Sequence, residues 1–180
     1  MIFSRGFAVK IAVIGCPGSG KSTLALQLHK ILNIPLFHLD QYFWQPGWQR
    51  PDRDEFVKIH NALCDGASWI TDGMATRYLG YRAERADIII FLDVPWYICL
   101  FRIFKRAFLN FGKVFFSSAP GCPERFPDRE FLTYVWNFNK EYRPRIDDIL
   151  EKYEGQKKIF IIKTNAELKN FIKNCPLNLQ

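Results

Sequence analysis

Apolar residues fall into short unbroken runs set between longer stretches of helical spacing. The run 9–14 is rich in β-branched residues and stops at Gly15, so it reads as a strand buried on both faces. Runs at 35–38, 68–71, 88–92 and 158–163 read as further strands. Between them, Leu24, Leu28, Ile31 and Leu32 share one face of a helix over 21–32. A helix over 51–63 is expected to start on Pro51, with Asp52, Asp54 and Glu55 at the positive end of its dipole. Pro95 opens a strong helix over 95–110. Residues 129–141 read as helical, with Pro144 breaking or kinking the chain, and 166–173 forms a closing helix. The stretch 112–127 carries Ser117, Ser118, Pro120, Gly121 and Pro123 and reads as a loop. Strands alternating with helices predict an α/β fold, a parallel sheet of about five strands covered on both faces. No repeat or linker divides the chain, so 1–180 reads as one domain.

Composition adds three constraints. A hydrophobic fraction of 48% supplies a full core. The net charge of +7 favours anionic partners: nucleotides, phosphorylated metabolites, nucleic acid or an acidic membrane surface. Cys16, Cys64, Cys99, Cys122 and Cys175 are odd in number and include no C-x-x-C pair. That argues against a disulfide framework or zinc knuckle and suits a reducing, cytoplasmic setting. Segment 1–10 is too short and too interrupted by charge for a signal peptide, and no apolar run reaches the roughly 18 residues that span a bilayer. No membrane partner is expected. Monomer and homodimer both stay open.

The segment Gly15-Cys16-Pro17-Gly18-Ser19-Gly20-Lys21-Ser22 fits G-x-x-x-x-G-K-[ST] at every fixed position, between a strand and a helix. Its glycines let the backbone wrap a polyphosphate with N–H groups inward, and the helix N-terminus adds positive partial charge. Lys21 can reach the β- and γ-phosphates, the Ser22 hydroxyl can ligate Mg²⁺, and Thr23 continues the cradle. The loop predicts a three-layer P-loop NTPase fold that binds ATP or another NTP. It does not by itself separate kinase from ATPase or GTPase.

Ligands of open α/β sheets sit beyond the carboxyl ends of the strands, where Asp40, Asp72 and Asp93 are expected. Asp93, after Ile88-Ile89-Ile90-Phe91-Leu92, is a candidate Mg²⁺ partner with Ser22, or else a cap for the helix behind Pro95. Asp72, before Gly73, can hold metal-bound water. Asp40 can take a proton from an acceptor hydroxyl. Arg102 and Arg106 share one helix face. Residues 107–130 suggest a short lid that excludes water, with Arg125 and Arg143 as candidate catalytic arginines. Phe37, Tyr42, Phe43, Trp44 and Trp48 can stack an acceptor, with Arg77 and Arg82 available for its charge. His29 and His60 read as surface or boundary residues and His38 as a satisfied strand-end histidine.

These residues resemble the nucleoside-monophosphate-kinase family, above all its adenylate-kinase-like branch, through Gly15 to Ser22, Asp72-Gly73 and Asp93 to Arg106. The resemblance implies that Arg102 and Arg106 contact the donor adenine and phosphates. Within that branch the chain is most similar to DNA topology modulation (FlaR-related) proteins. It shares with them Leu39-Asp40, Trp44 with Gly47-Trp48, Arg85-Ala86-Asp87 and the Gly-Cys-Pro-Glu-Arg stretch 121–125. One departure stands out: the family's Asp-Gly-Phe-Pro-Arg is here Asp72-Gly73-Met74-Ala75-Thr76-Arg77, without the proline and with the arginine displaced by one residue. The expected activity is MgATP-dependent phosphorylation of a small acceptor such as a nucleoside, nucleotide or similar metabolite. Lys21 and Arg106 are expected at the transferring group and Arg102 on adenine, with Asp40, Trp44, Asp72, Gly73, Arg77 and Arg82 toward the acceptor. A nucleotide-regulated DNA-binding protein and a simple NTPase switch are the alternatives, although no nucleic-acid motif is present.

Overall fold

The computed structural model describes residues 8–177; the opening residues, on which the signal-peptide reading partly rests, lie outside the described residues. The five strands are β1 (Lys10–Gly15), β2 (Leu36–His38), β3 (Trp69–Asp72), β4 (Ile88–Leu92) and β5 (Lys158–Ile162), paired in the order β2-β3-β1-β4-β5. Every pairing is parallel, as the β-α alternation requires. The central strands are buried along almost their whole length, and the edge strands β2 and β5 are partly exposed. Unbroken apolar runs are what a strand covered on both faces needs.

Successive residues of β1 and β4 point to opposite faces and seed two cores. Ile11, Val13, Ile88 and Ile90 pack with Leu24, Ala25 and Leu28 of α1 (Lys21–Leu32) and Phe171 of α8 (Asn165–Asn174). Ala12, Ile14, Ile89 and Phe91 pack on the other face. Their neighbours there are Cys64 of α3 (Arg53–Asp65), Leu79 and Ala83 of α4 (Leu79–Arg85), and Cys99 and Ile103 of α5 (Trp96–Asn110). Val135 of α6 (Arg129–Trp136) and Ile146 of α7 (Arg143–Lys152) complete that core.

The local helix signals differ from expectation in four places. Pro51 precedes α3, whose cap is Asp52; its carboxylate accepts from the amides of Asp54 at 2.9 Å and Glu55 at 3.1 Å. A short α2 (Leu39–Phe43) and the 3₁₀ turn Thr76–Tyr78 leading into α4 stand where no helix was expected. The expected helix over 129–141 is instead α6, then a π-type turn Phe138–Tyr142, then α7 with Pro144 in its first turn. Proline is tolerated there because its missing N–H has no partner in a first turn, so Pro144 helps begin a helix rather than break one. His60 is fully buried against Asn61 and Cys64, not at the surface.

Candidate active site

The register of the sheet brings the site together. Val13 pairs with Asp72 and Gly15 with Leu92, so the loop after β1 rises between the ends of β3 and β4. Gly18 has φ +80°, and a Cβ there would lie 2.5 Å from the Cys99 carbonyl oxygen of α5. Gly15, at φ +145°, is confined in the same way, with 2.6 Å to the Leu92 carbonyl oxygen. Only glycine reconciles those conformations with that close packing. The Ser19 amide donates to the Cys16 carbonyl at 3.1 Å, and Lys21 Nζ donates to that oxygen at 2.9 Å. Burial lowers the Lys21 pKa, and the negative potential of Cys16, Asp40 and Asp72 opposes the shift.

The Ser22 hydroxyl donates to Asp72 Oδ2 at 2.5 Å, and His38 Nδ1 bonds the other carboxylate oxygen. Asp72 is 3% exposed, so both of its oxygens are held in place. A hydroxyl and a carboxylate side by side at a phosphate loop form a hard oxygen donor set that suits Mg²⁺. Asp93 is placed elsewhere. Its carboxylate takes Arg143 Nη1 at 2.5 Å, and neither residue lines the cleft. Asp72, and not Asp93, therefore stands beside Ser22, and Arg143 lies outside the cleft. Asp93 does not cap α5 either, because no side chain bonds the start of that helix.

One cleft of about 1210 Å³ runs from Pro17, Gly18, Gly20, Lys21, Ser22 and Thr23 to a wall that includes Phe43, Trp44, Phe56 and Tyr78. Arg102 lies over the loop; its Nη1 donates to the Ser19 carbonyl at 3.0 Å and its Nη2 to Asn165 Oδ1 at 2.7 Å. Arg106, one turn on, also faces the cleft, with Nε 3.0 Å from Glu124 Oε1 in an ion contact not aligned as a hydrogen bond. Asp40 stands in the cleft, open to water yet surrounded by protein. That crowding raises its carboxyl pKa, as does the Asp72 charge, while Lys21, Arg106 and His38 pull it back.

Trp44 and Arg77 both line the cleft, and Arg77 has no carboxylate partner among the described residues. Arg82 does not line the cleft. Its guanidinium is fully buried and donates to the carbonyls of Gly73 at 2.9 Å and Met74 at 3.1 Å. Burial lowers its pKa to about 10. Arg82 thus supports the turn after β3 instead of meeting an acceptor. Gly73, at φ +128°, lies within that turn, where a Cβ would come 2.9 Å from the Leu39 side chain.

The stretch 112–127, read as the lid, packs against residues 41–48. The Gly47 amide donates to the Gly121 carbonyl at 2.9 Å, and Trp48 Nε1 donates to the Pro123 carbonyl at 2.9 Å. Gln41 Nε2 donates to the Phe116 carbonyl at 2.8 Å. Arg125 is in the lining, over the Trp48 ring and 3.3 Å from Asp128. Sequence reasoning missed Glu124 as a site residue, although it is 4% exposed and holds Arg106. The only signal for it is the Gly-Cys-Pro-Glu-Arg stretch. Tyr134 and Tyr142, which also line the cleft, carry no such signal: Tyr134 falls inside a stretch that reads as ordinary helix and Tyr142 just beyond it.

No family model and no curated protein matches the chain. Solved structures do match. A shikimate kinase from Acinetobacter baumannii aligns over 94% of this chain and 92% of its own, at TM-score 0.62 and 13% identity. A putative kinase from Chloroflexus aurantiacus aligns over 97% and 100%, at TM-score 0.54 and 18% identity. A deoxyadenosine kinase from M. mycoides aligns over 95% and 98%, at TM-score 0.50 and 17% identity. The chain has the five-stranded, all-parallel, helix-covered fold of P-loop kinases.

Proposed function

We propose that the protein is a phosphotransferase that moves the γ-phosphoryl group of ATP to a hydroxyl of a small acceptor, a nucleoside or a comparably sized metabolite. The observation that carries this reading is the sharing of one cleft by the phosphate loop, Asp40, Arg102 and Arg106, and an aromatic-walled chamber. An NTPase switch has no need of the chamber. The sequence pattern from Leu39-Asp40 to the 121–125 stretch supports kinship with the adenylate-kinase-like, FlaR-related proteins. The mismatched segment after Asp72 and a carboxylate at the reacting end argue for a hydroxyl acceptor over a nucleoside monophosphate.

The loop amides and Lys21 would hold the phosphate tail, with Arg102 over the adenine side. Ser22 and Asp72 would hold Mg²⁺, which offsets phosphate charge when bound. Asp40 accepts the proton of the acceptor hydroxyl as its oxygen bonds to the γ-phosphorus and the bond to the bridging oxygen of ADP breaks. Lys21 and Arg106 stabilise the charge on the equatorial oxygens. The lid, tied to 45–49, keeps water from competing as the acceptor. A screen of nucleosides, nucleotides and sugar-like acceptors with MgATP, following ADP and free phosphate separately, tests this. Acceptor-dependent ADP without free phosphate is expected. Equal release of both with every acceptor tried would leave only an NTPase.

A further inference from the structure

The outer face of α5 carries a feature that neither phosphate binding nor transfer uses. Tyr97, Phe101, Phe104 and Phe108 recur at steps of four, three and four, the spacing of a coiled-coil seam, and Phe111 follows just past the end of the helix. They are 59%, 68%, 43%, 76% and 62% exposed, while Cys99, Ile103 and Ala107 of the same helix face the core. The belt continues at both ends. Trp136, 60% exposed, packs on Trp96 at 4.2 Å between ring centroids, and Phe126, 53% exposed, packs on Phe111 at 5.6 Å. With a full aromatic side chain presenting about 200 Å², the stripe and Leu109 alone expose roughly 700 Å² of apolar surface. The largest patch on a typical monomer is about 300–600 Å².

We infer that this face is a self-association surface, and that its occupant is the same stripe of a second copy related by a two-fold axis. The area argues for it, because a standard stable interface buries about 800 Å² per partner. So does the seam spacing, which a second α5 matches by construction. A bilayer surface fits less well. An interfacial helix needs a polar face rich in Lys and Arg, but Arg102 and Arg106 turn toward the loop and Glu124, leaving Lys105 as the one outward cation of α5. At the edge of the stripe, Lys105 stays hydrated at the rim of such a pair. Phe111 and Phe126 sit at the two roots of the lid, so pairing also buries the lid's base.

Sedimentation velocity on the wild-type protein, from sub-micromolar to about 50 μM, reads the association directly. The expected result is a reversible dimer. In F101K/F108K the dissociation constant rises at least about 100-fold, which is about 2.7 kcal/mol, while the far-UV circular dichroism spectrum and ATP affinity hold. Ile31, 50% exposed on α1, gives the control I31K, which stays dimeric. A wild-type monomer throughout that range overturns the inference, as does a dimer undiminished in F101K/F108K. A wild-type monomer that sediments with phosphatidylserine vesicles, and loses this in F101K/F108K, assigns the face to membranes instead. None of these outcomes depends on transfer activity, so the inference and the proposed reaction fail separately.

Discussion

The two ends of the cleft are built in opposite ways. The phosphate end is one unbroken segment, Gly15 to Ser22, whose backbone makes the site and in which Gly18 and Gly15 are locked by carbonyls 2.5 and 2.6 Å from any added Cβ. The far end, where the proposed acceptor would sit, is assembled from side chains: Asp40 within α2 and Trp44 just past it, Arg77 in the 3₁₀ turn, Arg125 in the 121–125 stretch, and Tyr134 and Tyr142 across the cleft. A site made of backbone is set by local sequence and has one task. A site made of scattered side chains can be retuned residue by residue, and in the proposed reaction the acceptor would be chosen there.

That contrast can be broken most forcefully at Lys21. Lys21→Met is expected to cost about 10³-fold in kcat with the fold retained, because it removes a cation from the transferring group. Turnover near that of the wild type would remove the phosphate end from the mechanism. Asp40→Asn follows, with a loss of about 10²–10³-fold in kcat and little change in ATP binding by calorimetry. Because Asp40 must be ionised to accept a proton and its pKa is raised, kcat/KM should fall with pH along a limb above the usual carboxylate range. Asp72→Asn removes one cause of that shift and should move the limb to lower pH in a pH–rate profile. An unmoved limb would mean another group is titrating. At the aromatic wall, Trp44→Ala should raise the acceptor KM about tenfold and leave the ATP KM alone, as expected for lost stacking of about 1.4 kcal/mol. The smallest effect is expected at Arg143. Arg143→Met should change kcat by less than about threefold, since its guanidinium is engaged by Asp93 and Asp147 outside the cleft. A loss above about 100-fold would return it to the catalytic set.

The same division explains what could be read from the chain. The strands and α1, α3 and α5 follow from short-range pattern, and the phosphate loop is a local motif, so both were legible. Asp93 and Asp72 each stand at the end of a strand, and short-range pattern does not tell them apart. Only the register, Val13 opposite Asp72, puts the latter against Ser22. Arg82 reads as a cation available to the acceptor but is buried, where it donates to the carbonyls of Gly73 and Met74. Helices α2 and α4 are too short for periodicity to register, and α4 carries Gly80 in its first turn. The docking of 121–123 on 45–49 joins segments far apart in sequence, and nothing local encodes it.

The account stands on the phosphate loop, and titration calorimetry of MgATP into the wild type and Gly18→Ala tests it most directly. Saturable one-site binding is predicted for the wild type. It should be weakened at least about tenfold in the variant, whose new Cβ meets the Cys99 carbonyl at a φ of +80° that only glycine adopts readily. Absence of binding to the folded wild-type chain, or equal affinity in both proteins, would contradict it.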